Sequence, residues 1–112
     1  MPSAFNVELS MREAPTEAQA RAVTALVEPA RAVGLRLTKR GAGELSYTPR
    51  VQWPFVVMLY HKLSGERMTV RFEPGGEGGT RLTISGKVAG SNHLLADDPE
   101  HWSEALGGST TV

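Results

Sequence analysis

From Leu35 to Val88 the chain reads as consecutive β-runs separated by turn residues, a pattern that leaves few architectures open. Leu35 and Leu37 alternate with Arg36 and Thr38, and Leu45 and Tyr47 alternate with Glu44, Ser46 and Thr48. Met68, Val70 and Phe72 alternate with Arg67, Thr69, Arg71 and Glu73; Leu82, Ile84 and Val88 alternate with Arg81, Thr83, Ser85 and Lys87. A period of two puts one set of side chains on each face of a pleated strand, so each run is half-buried. The connections Lys39-Arg40-Gly41-Ala42-Gly43, Ser64-Gly65 and Pro74-Gly75-Gly76-Glu77-Gly78-Gly79 are turns, too short for parallel crossovers. An antiparallel meander follows.

One run departs from the alternation. After an irregular connection from Pro49 to Pro54, Phe55 to Lys62 reads as a fifth strand, and Trp53 to Tyr60 is apolar on both faces. If Phe55, Val57 and Leu59 face the core, then Val56, Met58 and Tyr60 form an apolar stripe in a field of Ser, Thr and Arg. Three explanations compete: the sheet curls enough to bury both faces, the stripe is a homodimer seam or partner site, or it lines a small-ligand pocket with Trp53, Phe55 and Tyr60 at its mouth.

Upstream, Phe5, Val7, Leu9 and Met11 alternate with polar residues as a first strand, which pairs most simply with the last strand of the meander. Thr16-Glu17-Ala18-Gln19 matches a capping box, and Ala22, Val23, Leu26, Ala30 and Val33 form the apolar stripe of the helix it opens. Pro29 kinks this helix or restarts it as a second one, and Gly34 suits a left-handed helix end. Near the C-terminus, Asp98 as N-cap and Pro99 at the first position open a short helix that docks through Trp102 and Leu106. The expectation is an α+β fold of order β-α-β5-α, with both helices on one face, as a single domain over residues 1–107 and a flexible tail over 108–112.

This order of elements resembles the helix-grip or START-like superfamily, the Bet v 1-like and polyketide cyclase group. The likeness lies in the strand Phe5–Met11, the helix broken at Pro29, the meander, the closing segment Gly79-Thr80-Arg81-Leu82-Thr83-Ile84-Ser85-Gly86, and the C-terminal helix with Trp102. The chain departs from that group in having five strands after the helix rather than six and a short C-terminal helix, which puts the usual large ligand cavity in question. The pattern is also similar to small actinobacterial proteins of unassigned function.

Few chemistries have their parts. The absence of cysteine removes disulfides, zinc–thiolate sites and thiol nucleophiles. His61, His93 and His101 lack metal-ligand spacing, and Asp97, Asp98, Glu100 and Glu104 are explained by capping and helix polarity. The glycine-rich loop at 75–79 leads into a strand rather than a helix, so it is a hairpin and not a phosphate cradle. No serine sits in a Gly-x-Ser-x-Gly elbow, and Glu44, Glu66 and Glu73 occupy outward or turn positions. No catalytic residue, metal site or cofactor is therefore assigned.

Charge is uneven beneath a net value of zero: residues 31–90 hold ten Lys/Arg against four Asp/Glu, and the remainder two against eight. A basic sheet face attracts acidic ligands or nucleic acid, but Lys, Arg and Thr also simply keep a solvated β-face from sticking. No signal-peptide pattern and no run long enough to span a membrane is present, so a cytoplasmic location is expected.

The leading expectation is a non-enzymatic binding module for a small apolar ligand held between the broken helix and the sheet. Trp53, Phe55, Met58, Tyr60, Met68, Phe72 and Trp102 are its candidate contacts. A homodimer or protein-partner module using Val56, Met58 and Tyr60 is the alternative, and a weak single-stranded nucleic-acid binder the third.

Overall fold

The structure is a computed structural model, and it describes residues 3–49, 66–88, 92–106 and 109–110. Strand β1 (Ser3–Met11) is followed by helices α1 (Pro15–Ala25) and α2 (Val27–Ala32), and then by strands β2 (Leu35–Gly41), β3 (Glu44–Pro49), β4 (Arg67–Pro74) and β5 (Thr80–Val88). Helices α3 (Asn92–Ala96) and α4 (Pro99–Leu106) precede a two-residue strand, β6 (Ser109–Thr110), in the segment read from sequence as a tail. The sheet order is β2-β3-β4-β5-β1-β6, antiparallel throughout: an α+β fold built on a meander. As expected, β1 pairs with the last meander strand, from Ser3 opposite Val88 to Met11 opposite Thr80.

The alternation read from the sequence is the alternation of burial. Phe5, Val7, Leu9, Met11, Leu45, Tyr47, Met68, Val70, Phe72, Leu82, Ile84 and Val88 face inward, where they meet Ala18, Ala22, Leu26, Ala30, Trp102 and Leu106 of the helices. Small alanines on the helix stripe let α1 and α2 lie close to the strands. Among the described residues, the opposite face carries no aromatic side chain. It is a field of Ser, Thr, Arg and Lys, with Glu8, Glu44 and Glu73 among them.

The meander differs from expectation in one connection. β3 pairs directly with β4, from Glu44 opposite Arg71 to Tyr47 opposite Met68, and β5 occupies the other edge of β4. In the sheet, therefore, no strand lies between β3 and β4. The expected strand Phe55–Lys62, the turn Ser64-Gly65 and the stripe of Val56, Met58 and Tyr60 all lie outside the described residues.

The helix signals are used in part. Pro29 sits in the first turn of a restarted helix, where its missing N–H breaks no bond, and Gly34 ends that helix at φ 79°. Asp98 caps α4, its carboxylate accepting from Glu100 N–H at 3.1 Å. The capping box at Thr16 is corrected. α1 begins at Pro15 with no side-chain cap, because a proline pre-set for helical φ opens it two residues earlier. Gln19 bonds elsewhere instead. Its amide donates to the Gly41 carbonyl at 2.7 Å and accepts from Gly43 N–H at 2.9 Å. Glu66, read as a turn position, is only 7% exposed; it shares the inward parity of Met68 and does not lack a partner.

Candidate functional site

At the β2 edge the helices do not close on the sheet. A cleft of about 380 Å³ opens between α1–α2 and β2–β3, walled by Val23, Val27 and Ala30 on one side and Leu35 and Leu37 on the other. Its apolar character follows from the two patterns that meet there, the helix stripe and the inward positions of an edge strand. Val27 remains 53% exposed at the rim, which is unusual for a helix residue facing an apolar wall.

From β3, Tyr47 reaches the same cleft. It is 2% exposed, and its hydroxyl is buried without a hydrogen-bond partner. Leaving a buried hydroxyl unpaired costs about 1–3 kcal/mol, so native structures satisfy nearly all of them. Burial pushes the phenol up to about 12, and the nearby Arg40 charge pulls it the other way by less. At neutral pH Tyr47 is thus an uncharged donor in an apolar setting.

The position of Arg40 has a local cause. A register shift between Leu37 and Lys39 puts Lys39 opposite Ser46 and Arg40 opposite Leu45, so the bulge exchanges the faces of the two basic residues. Uninterrupted alternation from Leu35 and Leu37 would have turned Lys39 toward the helices. Instead Arg40 lies on the helix side and borders a second, more open hollow of about 420 Å³, which adjoins the cleft at Val23. Arg31 of α2 and Arg36 of β2 border the first cleft. No acidic side chain lines either hollow among the described residues.

The sequence-derived candidates are distributed differently. Met68, Phe72 and Trp102 are buried in the common core, and none of them lines the cleft. Trp102 is satisfied internally, its indole N–H donating to the Ala96 carbonyl at 2.8 Å. Trp53, Phe55, Met58 and Tyr60 lie outside the described residues. Sequence reasoning did not single out Tyr47 and Arg40. A phenol at an inward strand position was the signal for the first. For the second it was three consecutive polar residues, Thr38-Lys39-Arg40, on a strand that should alternate.

Two histidines are used to join elements: His93 Nε2 lies 3.2 Å from the Ala4 carbonyl and His101 Nε2 lies 3.1 Å from the Pro29 carbonyl. No group of three or more potential metal ligands occurs among the described residues, and no helix among them is long and apolar enough to cross a membrane. No family model matches the chain, and no curated protein or solved structure is significantly similar to it.

Proposed function

We propose that the protein is a non-enzymatic binding module whose cleft between α1–α2 and β2–β3 takes a small, largely apolar ligand carrying an oxygen acceptor. The observation that carries this reading is an apolar cleft of about 380 Å³ lined in part by Tyr47, a residue whose buried hydroxyl has no hydrogen-bond partner. Ligand sites are typically apolar hollows of roughly 300–1,000 Å³ with a few placed polar groups, and one donor among aliphatic walls fits that description. A ligand oxygen accepting from Tyr47 would remove an unpaired buried group while its carbon skeleton covers Val23, Val27 and Leu37. The helix-grip resemblance belongs to the same proposal, and its support is the order of strand, paired helices, meander and C-terminal helix.

The test is a titration with 1-octanol followed by amide and methyl NMR shifts. Saturable changes are expected at Val23, Val27, Leu37 and Tyr47, with weak affinity because so few ligand atoms are engaged. Val27→Trp fills the cleft from an exposed position and should abolish them without unfolding the protein. Shifts that do not saturate, or that persist unchanged in Val27→Trp, would defeat the reading. Native mass spectrometry of freshly purified protein gives a second check, since a retained natural ligand would add mass that Val27→Trp loses.

A further inference from the structure

We infer that the sheet face turned away from the helices docks the phosphate backbone of a nucleic-acid duplex, held by Arg36, Lys39, Arg67 and Lys87. The register assembles these four residues from three strands. Arg67 stands opposite Lys87 across β4 and β5. Tyr47 faces Met68, so the neighbouring Arg67 lies level with Thr48, and Thr48 faces Arg36 one strand further on. Lys39 sits opposite Ser46 after the bulge, and Thr69, Ser85 and Asn6 continue that row across β4, β5 and β1. With strands about 4.8 Å apart and alternate residues about 6.7 Å apart along each, the cations occupy a patch of roughly 14 by 7 Å.

Charge on this face is sorted rather than mixed. In the other half Arg71 lies 3.7 Å from Glu44, Arg81 stands opposite Glu73, and Glu8 stands opposite Thr83. In the half with Arg36, Lys39, Arg67 and Lys87, all four cations are exposed and none is in an ion pair among the described residues. Like charges directly opposite on neighbouring strands destabilise a sheet, so Arg67 facing Lys87 is a cost that solubility does not require. The mixed half is equally polar without it. Nor does the sequence offer a counterion from residues 50–65, which contain no Asp or Glu.

The donor set points to phosphate. Phosphate oxygens accept from guanidinium and ammonium groups and from Ser, Thr and Asn side chains, so one ligand uses both rows. An acidic peptide bound by strand addition would run along an edge, whereas these cations run across β2 to β5. Lipid surfaces are met by large apolar side chains and single strands by stacked aromatic ones, and among the described residues this face carries neither. A duplex keeps its own bases stacked and presents its phosphates outward, so it asks for neither.

The test is fluorescence anisotropy of a labelled DNA duplex of mixed sequence, titrated with the protein at several salt concentrations. With all four cations on phosphates, log K should fall with log salt at a slope of about −3.6, roughly a hundredfold loss of affinity between about 50 and 200 mM. Arg67→Gln/Lys87→Gln should bring the slope to about −1.8 and weaken binding at least about tenfold at low salt. That variant loses a facing like-charge pair, so its urea midpoint should equal or exceed that of the wild type, which separates lost binding from lost fold. Arg12→Gln/Arg31→Gln lowers the net charge equally at two exposed sites away from the patch, and should leave the slope near its wild-type value. Equal weakening by the two double variants would show net charge alone at work and overturn the inference. Tighter binding of the same sequence as a single strand, of poly-glutamate or of phosphatidylserine vesicles would overturn it too, as would a duplex affinity indifferent to salt. Val27→Trp should bind the duplex as the wild type does, so failure of the cleft reading and failure of this one are told apart.

Discussion

Gln19 of α1 holds Gly43 of the β2–β3 turn, its side-chain oxygen accepting the glycine N–H at 2.9 Å while its nitrogen donates to Gly41. The turn is fixed from the other side as well, because the Gly43 carbonyl accepts from Phe72 N–H of β4 at 2.9 Å. One glutamine thus ties the helix layer to the tip of the edge hairpin whose other end forms the cleft.

Gln19→Ala should destabilise the protein by about 1–2 kcal/mol, two modest hydrogen bonds at a partly exposed site. Amide hydrogen exchange at Gly43 should accelerate more than exchange at Val70 of β4, which lies between β3 and β5. Gln19→Glu keeps the acceptor but faces the Gly41 carbonyl with a second acceptor, so it should be no better than alanine at that contact. Unchanged exchange at Gly43 in both variants would show that the tie is not made.

Tyr47 predicts a pH dependence with a definite sign. Its phenol is held up to about 12 from 10.0, so between these values the unfolded chain has released a proton that the folded chain retains. Stability from this group is therefore fully present below pH 10 and is lost as pH rises toward 12, by roughly 2–3 kcal/mol at most. Denaturant titrations from about pH 9 to 12 should show this fall in the wild type and a shallower one in Tyr47→Phe. At neutral pH the same substitution removes an unpaired hydroxyl and should leave stability equal or higher.

Gly86 is required by a close approach of strands. A Cβ there would overlap the Arg67 carbonyl oxygen and stand 2.7 Å from Met68 Cα, both backbone atoms of the neighbouring strand. Gly86→Ala should cost about 3 kcal/mol or more, because β4 cannot withdraw without breaking its ladder to β3. Gly76→Ala, where nothing lies within 4 Å, is the control and should be close to neutral. Comparable midpoints of chemical unfolding for the two variants would contradict the packing described.

At α4, Asp98→Ala should cost about 1 kcal/mol through loss of the cap on Glu100, and Asp98→Asn should retain most of it. Thermal unfolding of the three proteins at neutral pH checks the order.

The local sequence determined strands β1 to β5, helices α1, α2 and α4 and the face each of those strands buries, because periodicity and chain-terminating residues act within a few positions, while α3 and β6 had no such signal. Leu45-Ser46-Tyr47 and Met68-Thr69-Val70 alternate in the sequence as they do in the sheet, and Pro29, Gly34 and Asp98 act locally where they stand. Two of the groups that define the site were not legible in this way. Tyr47 reads as one more core residue until it is found lining the cleft, and Lys39-Arg40 read as the start of a turn until the bulge after Leu37 carries β2 on to Gly41 and sets Arg40 on the helix side.

Tertiary structure decided what local pattern leaves open. Which strands are neighbours depends on the whole ladder, so the direct pairing of β3 with β4 could not be read from hydrophobic runs alone. Partner choice decided the rest: Gln19 fits a capping box by spacing, yet a turn twenty-four residues away offers it both a donor and an acceptor. The sequence set the alternation that makes an apolar wall. Only the packing of α1 and α2 against that wall left a cleft, with Tyr47 among the residues that line it.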